Sequence, residues 1–296
     1  MELRQLEYFI AVASEMNFSR AAQRVHVVQS ALSTSVGKLE KELGVELFDR
    51  SRQRIKITPA GEIFREHALR VLQTARTARD SISEYRGALT GTVELGSLVT
   101  FGRLDVAKVL GEYHRRYPLV RIRLRQSQTG SATYLSAISD GSLDLALVSS
   151  PNRFPAHIEM RPLADEPMVF VCRSDHHLAQ RDHVAIAELA EEDLIGFPSE
   201  FGLRRLVDDA FTAAGVQARI PYEVALEYSV GADLVRHGLG SIFMPASDAG
   251  RYPDLRAITV RPAVAWTIYL ASAPRMGPAS TKLADMLIAS VSAPRG

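Results

Sequence analysis

Apolar positions in the first 57 residues recur at helical spacing. Leu3, Leu6, Phe9, Ile10 and Ala13 step by three and four, which predicts an amphipathic first helix. Ser19 is the expected N-cap of a second helix, Arg20 to Val25, whose small pair Ala21 and Ala22 permits close helix approach. Leu32, Val36, Leu39 and Leu43 form a further stripe, stopped by Gly44 as a left-handed residue past the helix end. From Glu46 to Ile57 apolar residues alternate with Arg50, Arg52, Arg54 and Lys56, the pattern of a basic two-stranded hairpin or wing.

Thr58-Pro59 then opens a long helix, Thr58 capping and Pro59 at the first helical position. Phe64, Ala68, Val71, Ala75, Ala78, Ile82, Tyr85 and Leu89 alternate steps of four and three along it, a heptad seam. A stripe this narrow and long suits a second copy of the same helix better than a globular core, so those eight residues are the expected dimerisation face. Gly91 is the expected stop.

Beyond residue 91 the texture becomes alternating strand and helix. Strands are expected at Val93–Leu95, Val120–Leu124, Leu143–Val148, Met168–Cys172, Tyr222–Ala225, Ile242–Met244 and Thr267–Ala271. Helices are expected at Leu104–Tyr117, Ala132–Ser139, Leu203–Ala214, Val230–His237 and Ser280–Ser290. That alternation predicts an open α/β sheet, parallel in large part. Proline-marked connections at Arg161-Pro162 and Arg261-Pro262 suggest two lobes joined by two crossings, with ligands bound between them.

Composition narrows the classes. With 46 % hydrophobic and 23 % charged residues in 296, the chain reads as a globular protein of two or three domains. No apolar run approaches the ~18 residues of a membrane span. The amino-terminal stretch carries charges and no cleavage signature, so the expected location is the cytoplasm. Cys172 is the only cysteine, which excludes an intramolecular disulfide. Residues 1–88 carry 14 Lys and Arg against 11 Asp and Glu, whereas the remainder is slightly acidic. A mildly basic head is compatible with double-stranded DNA as partner.

The segment from Ala21 to Gly44 has the plan of a helix-turn-helix. Gln29, Ser30, Ser33 and Thr34 lie on the early turns of its second helix opposite the apolar stripe, with Lys38 a turn further on. They are the expected DNA-contacting residues, with Arg50, Arg52 and Arg54 of the wing reaching phosphates or a minor groove. Hydroxyl residues at a helix start often serve only as caps, and a basic hairpin is often only a solvated surface. Their order ahead of a long coiled-coil helix favours the DNA-reading assignment.

Three segments, LRQLEYFIAVASEMNFSRAAQRV, QSALSTSVGKLEKELGVELFDR and ITPAGEIF, closely resemble the LysR-type transcriptional regulators. YPLVRIRL, GSLDLALV, ADEPMVFVCRSDHHLA and LVRHGLGSIFMP extend the likeness to the family's effector domain. The resemblance implies an α+β chain: an all-α winged helix-turn-helix domain (1–57), a long linker and dimerisation helix (58–90), and a two-lobed α/β, periplasmic-binding-protein-like (type 2) effector domain (91–296). Lobe I is expected to take 91–161 and 266–296, and lobe II 162–265. It further implies a homodimer or tetramer, contact with RNA polymerase, no enzymatic activity, no cofactor and no metal.

Effector contacts are implied at Ser97, Thr100, Phe101, Gln128, Thr129, Phe197, Ser199, Glu200 and Ser229. Several precede expected helices, where hydroxyls and free N–H groups favour a carboxylate or phosphate, so an anionic effector is expected. Glu200 opposes this if it points inward, with Arg204 or Arg205 as an offset. The chain departs from the family at Val28, where a Ser or Thr cap is usual, and at Ser30, which replaces a common Pro and is a candidate substitute cap. Thr34 and Gly37 stand where longer polar side chains are common, which shifts expected readout towards the wing and DNA deformability.

Other chemistry is sparse. His176, His177 and His183 fit no zinc spacing and read as a solvated loop. Cys172, in an apolar run, reads as an inert buried thiol. An enzyme would need a nucleophile with a positioned base, and no phosphate loop or nucleophile elbow occurs. An exported solute-binding protein would not carry a 90-residue helical head.

Overall fold

The computed structural model describes residues 1–50, 55–98, 100–126, 130–149, 157–224 and 227–292. They form two compact units: Met1–Ala88 with Ser139–Ser142, and Leu89–Ile138 with Leu143–Gly296.

The first unit carries α1 (Leu3–Glu15), α2 (Phe18–Arg24), α3 (Gln29–Leu43), the antiparallel strands β1 (Phe48–Asp49) and β2 (Lys56–Ile57), and α4 (Pro59–Tyr85). Its core joins Leu6, Phe9 and Val12 of α1 to Ala21 and Ala22 of α2, Leu32, Val36 and Leu39 of α3, and Phe48 of the wing. Asn17, not Ser19, caps α2, accepting from Arg20 N–H at 3.0 Å. Asn17 has the extended backbone a cap requires, so the helix starts two residues earlier than expected. Gly44 ends α3 at φ +70, as its position after the stripe predicts. Thr58 caps α4 through Gly61 N–H at 3.0 Å. Gly61 is packed so tightly that a Cβ there would lie 2.3 Å from the Leu47 carbonyl oxygen.

α4 stops at Tyr85, not near Gly91. Gly87 takes φ +83 and Ala88 N–H bonds back to Ser83 C=O, a left-handed C-terminal cap that closes the helix four residues early. Gly91 instead begins a strand.

The second unit holds β3 (Gly91–Ser97), α5 (Val106–Arg116), β4 (Val120–Gln126), α6 (Ser131–Ser139), β5 (Leu145–Ser149), β6 (Glu159–Arg173), β7 (His183–Ala185), β8 (Asp193–Gly196), α7 (Gly202–Ala213), β9 (Arg219–Glu223), α8 (Tyr228–Arg236), β10 (Ser241–Pro245), α9 (Ala246–Ala249), β11 (Leu255–Arg261), β12 (Ala265–Ser272) and α10 (Pro278–Ser292). The main path of the sheet is β4-β3-β5-β12-β6-β10-β8-β9, with β11 and β7 branching from β6. Strands linked through helices pair in parallel, β4 to β3, β3 to β5 and β8 to β9. β6 and β12 run antiparallel to their neighbours, so the sheet is mixed and not simply parallel.

The first crossing between lobes is no connection at Arg161-Pro162. It is β6 itself, which pairs with β12 from Glu159 to Pro167 and then with β10 and β11 from Met168 to Arg173. Lobe I thus extends to about Pro167 along one unbroken strand, and a bulge between Ile268 and Tyr269 accommodates Pro162 inside it. β7, β8 and β11 escaped the sequence reading because the first two are three and four residues long and β11 is half exposed.

Candidate functional site: a helix face in the head and a cleft between lobes

α3 presents Gln29, Ser30, Thr34 and Lys38 to solvent, with Ser33 half-buried beside them. None of the five makes a hydrogen bond or ion pair among the described residues, while Leu32, Val36 and Leu39 hold the opposite face in the core. These five unengaged polar side chains on an anchored helix are available for base edges and phosphates. Val28 occupies the N-cap position and no side chain caps it, so Ser30 neither replaces the cap nor shifts the start. The first N–H groups of α3 are therefore open to an anion such as a DNA phosphate. A Cβ at Gly37 would meet nothing within 4 Å.

Arg50 is committed elsewhere. Its guanidinium donates to Glu40 Oε2 at 2.6 Å and lies 4.8 Å from the Phe18 ring centroid, so its charge is engaged inside the head. Glu40 Oε1 also accepts from Leu47 N–H at 2.9 Å and Phe48 N–H at 3.2 Å. Glu40 thereby fastens the wing to α3, a role the sequence reading missed because an acid in a polar helix position gives no sign of its partners. Arg52 and Arg54 lie outside the described residues.

The seam of α4 divides. Ala68 is buried and Phe64 packs on the head core, Phe9 and Phe64 rings meeting edge-on at 5.0 Å. These two stabilise the head itself, contrary to the expectation of one continuous dimer face. Leu72, off the seam, is buried with them. From Val71 onward the seam is open: Val71 is 41 % exposed, Ile82 62 % and Tyr85 89 %, with Ala78 exposed and Ala75 half-buried. Leu89 lies past the helix end and packs on the core of the second unit, so it cannot belong to the seam.

In the second unit a narrow cleft lies between the lobes. Ser97, Thr100, Ser131, Ser149, Phe201 and Trp266 are among its lining residues, together with Gly130 and Gly202 at the starts of α6 and α7. The lobes meet closely there. A Cβ on Gly130, which has φ +75, would sit 2.4 Å from Glu200 O, and one on Gly202 would sit 2.7 Å from Ser149 O. Ser131 Oγ accepts from Ser149 N–H at 3.2 Å, and Ser149 Oγ accepts from Trp266 Nε1–H at 2.8 Å. Both hydroxyl protons have no acceptor among the described residues, so two buried donors remain. The start of α7 has no side-chain cap. This end of the cleft is rich in donors, the chemistry that receives a carboxylate or phosphate.

Beyond Thr100 the character changes. Thr100 Oγ1 donates to Asp248 Oδ2 at 2.7 Å and accepts from Gly102 N–H at 3.1 Å. Glu166, on the shared strand β6, accepts from Arg103 N–H in lobe I and Ser247 N–H in lobe II, both at 2.9 Å. Burial raises the Asp248 carboxyl above its ordinary range, against the lowering effects of Thr100 and Arg251.

Several expected contacts point elsewhere. Ser199, Glu200 and Ser229 are exposed, and Ser229 Oγ donates to Glu227. Phe197 stacks on Phe201 at 5.5 Å and lines a separate apolar cavity inside lobe II with Met168 and Phe243. Phe101 is half-buried against the core. Arg204 is held by Asp208, Glu223 and the Phe197 carbonyl, so it offers no offset in the cleft. Tyr228, one residue before Ser229, is buried where Ser229 faces solvent. Gln128 and Thr129 lie outside the described residues.

His176, His177 and Glu192 come together, both ring Nε2 atoms facing the one carboxylate at 3.1 and 3.3 Å. Leu178 N–H donates to His176 Nδ1 at 3.2 Å, which assigns the ring proton to Nε2 and makes Glu192 its acceptor. The group is a hydrogen-bonded clamp more than the solvated loop expected, and its donor direction does not suit a metal at His176 Nε2. Cys172 is fully buried, and burial pushes its thiol up to about 11. No described helix is long and apolar enough to cross a membrane.

A head with an exposed polar helix beside a wing, in one chain with a cleft between two α/β lobes, is the architecture of an effector-responsive DNA-binding protein. Residues 3–62 match the bacterial regulatory helix-turn-helix model of the lysR family, and residues 86–292 match the LysR substrate binding domain. The chain belongs to the LysR family of transcriptional regulators. It is 33 % identical over 277 residues to the HTH-type transcriptional regulator ShiR of Corynebacterium glutamicum (strain R), covering 90 % of this chain and 92 % of that one. It is 31 % identical over 251 residues to a hydrogen peroxide-inducible genes activator of Pectobacterium carotovorum subsp. carotovorum, covering 85 % and 82 %. Among solved structures, full-length CbnR complexed with its target DNA superposes with a TM-score of 0.66 at 26 % identity, covering 98 % of this chain and 100 % of that one.

Proposed function

We propose that this regulator binds double-stranded promoter DNA through Gln29, Ser30, Ser33, Thr34 and Lys38, and changes its DNA-bound arrangement when an anionic small molecule enters the cleft. The carrying observation is the pair of buried hydroxyls, Ser131 and Ser149, which line the cleft and whose oxygens accept from the protein while their O–H groups have no acceptor among the described residues. Effector control requires different affinity for the two arrangements of the lobes. Domains at 1–57, 58–90 and 91–296, with the lobe exchange moved to Pro167, fit this reading. The exposed part of the α4 seam, Val71, Ile82 and Tyr85, supports pairing of two copies, and paired heads would read an inverted repeat. Contact with RNA polymerase and a cytoplasmic setting follow from the same role.

The name of one relative raises a peroxide-sensing alternative. A single cysteine that is fully buried, with its thiol pushed up to about 11, opposes thiol-based sensing here. The test is fluorescence-anisotropy titration of the full-length protein on promoter fragments, at stated salt, with and without a panel of carboxylic and phosphorylated acids. Affinity above that for random DNA, lost in Gln29→Ala and altered by an acid in a Ser131-dependent way, supports the proposal. Binding no tighter than to random DNA, or a response unchanged by Ser131→Ala, overturns it.

A further inference from the structure

Beside the donor-rich cleft the lobes are tied by hydrogen bonds that belong to neither lobe's own core. The turn after β3, at 100–103 in lobe I, lies against α9 of lobe II. Thr100 Oγ1 donates to Asp248 Oδ2 at 2.7 Å across that junction. Glu166, on the strand both lobes share, takes one N–H from each side, Arg103 on Oε1 and Ser247 on Oε2, both at 2.9 Å. Gly102, at φ +54, packs so closely that a Cβ there would lie 2.1 Å from Glu166 Oε1 and 2.6 Å from the Trp266 ring. Turn, carboxylates and helix thus close this part of the interlobe space against a ligand.

The closed junction carries opposing terms. Its cross-lobe bonds end on two carboxylates, and such charge-assisted bonds are strong ones. Against them stands burial. Glu166 and Asp248 are 6 % and 2 % exposed, and Arg251, 3.5 Å from Asp248, is itself 66 % exposed, so water screens much of its charge. Tyr228 Oη and Ser247 Oγ, both in lobe II, are buried with no hydrogen-bond partner. Burial opposes ionisation of the Tyr228 hydroxyl, as do the nearby charges of Asp248 and Glu166. A buried carboxylate short of counter-charge and a buried hydroxyl short of a partner each disfavour the arrangement that encloses them. Parting the turn from α9 reverses both terms together. It breaks the Thr100–Asp248 and Arg103–Glu166 bonds, and it admits water to the acids and the orphan hydroxyls.

We infer that the 100–103 turn and α9 form a releasable latch between the lobes, closed by the Thr100–Asp248 bond and the Glu166 bridge and opened when water replaces them. Thr100 connects the latch to the cleft, because the same side chain lines the cleft beside Ser97 and Ser131. Its proton is committed to Asp248, so its part in effector control is to hold the lobes and not to donate to the ligand. The inference rests on the reading that effector control uses two arrangements of the lobes, and it names contacts that distinguish them. Its test needs no effector, so either can fail without the other.

The experiment is hydrogen–deuterium exchange with mass spectrometry on the full-length protein, comparing wild type with Thr100→Val, Thr100→Ser and Glu166→Gln. Valine keeps the shape of threonine without its hydroxyl, and serine keeps the hydroxyl. Thr100→Val should speed exchange about tenfold in the peptides covering 100–105 and 246–249 alike, while β3 and β10 stay protected. Thr100→Ser should restore the wild-type rate at 246–249. Glu166→Gln, which turns a donor towards one of the two bridged N–H groups, should speed both peptides as well. Faster exchange at 100–105 alone would reveal a turn that moves without α9 and would overturn the latch. Unchanged rates in both peptides, or acceleration spread over β3 and β10, overturn it too.

Discussion

The head and the effector unit solve opposite problems with the same residue types. In the head, Ser30, Thr34 and Lys38 stay free of intramolecular partners on an exposed helix face, as the proposed DNA partner would require. In the cleft, Ser131 and Ser149 are enclosed and half-satisfied, each oxygen already accepting from an N–H. An exposed reader depends on the scaffold that aims it, and an enclosed receptor depends on the few hydrogen bonds left unmade. Perturbing scaffold and lining separately should therefore yield different failures in the two units.

The largest effect is expected from crowding the two tight glycines. Gly61→Ala pushes a methyl group into the Leu47 carbonyl and should destabilise the head by about 2–3 kcal/mol, read as a lowered melting transition and lost operator binding. Gly130→Ala adds strain at φ +75 and blocks the approach of Glu200, so effector response should vanish while DNA affinity persists. Equal loss of both activities in each variant would erase the proposed division of labour.

Next comes Glu40→Ala, which releases Arg50 and strands two backbone N–H groups. Operator affinity should fall tenfold or more, with effector affinity untouched in calorimetry. Ser131→Ala should do the reverse, weakening effector binding about tenfold, the equivalent of one hydrogen bond of ~1.4 kcal/mol, without moving operator affinity.

Asp248→Asn gives a smaller shift with a definite sign. Burial raises this carboxyl above its ordinary 3.8, so the unfolded chain loses its proton first as pH rises, and stability drops across that window. The asparagine variant should therefore melt a few degrees higher at pH 7, with the gain fading as pH falls towards 3.8. A gain independent of pH would assign the effect to packing.

The smallest effect belongs to Gly37→Ala. Nothing lies within 4 Å of its Cβ, so helix propensity alone should stabilise the head by about 0.5–1 kcal/mol in chemical denaturation. Any change in operator preference would show that the gap on α3 shapes readout.

The same contrast governs what the sequence disclosed. Leu32, Val36 and Leu39 imprint a period that placed the polar face of α3 directly, because one helix supplies the whole surface. The cleft is assembled from strands and turns far apart in the chain, so no local period marks it. Ser97 and Thr100, read from the turn after β3, do line the cleft, whereas Ser229 faces solvent in a helix that starts at Tyr228, earlier than expected. Glu40, Glu166 and Asp248 were overlooked because a buried acid looks like any solvated one until its neighbours are known. The heptad stripe misled in a different way. Its period is real, but Phe64 and Ala68 satisfy it against their own domain and Leu89 lies beyond the helix.

One strand belongs to both lobes. β6 runs fifteen residues, roughly 50 Å at ~3.3 Å per residue, through both halves of the sheet, and β12 is laced to half of it. The lobes are thus not two jaws on a loose pivot. They are two ends of one hydrogen-bonded beam, with Glu166 near its midpoint. A few degrees of added twist at the mid-span of such a beam, carried outward, would displace the far edges of the sheet much more than its centre.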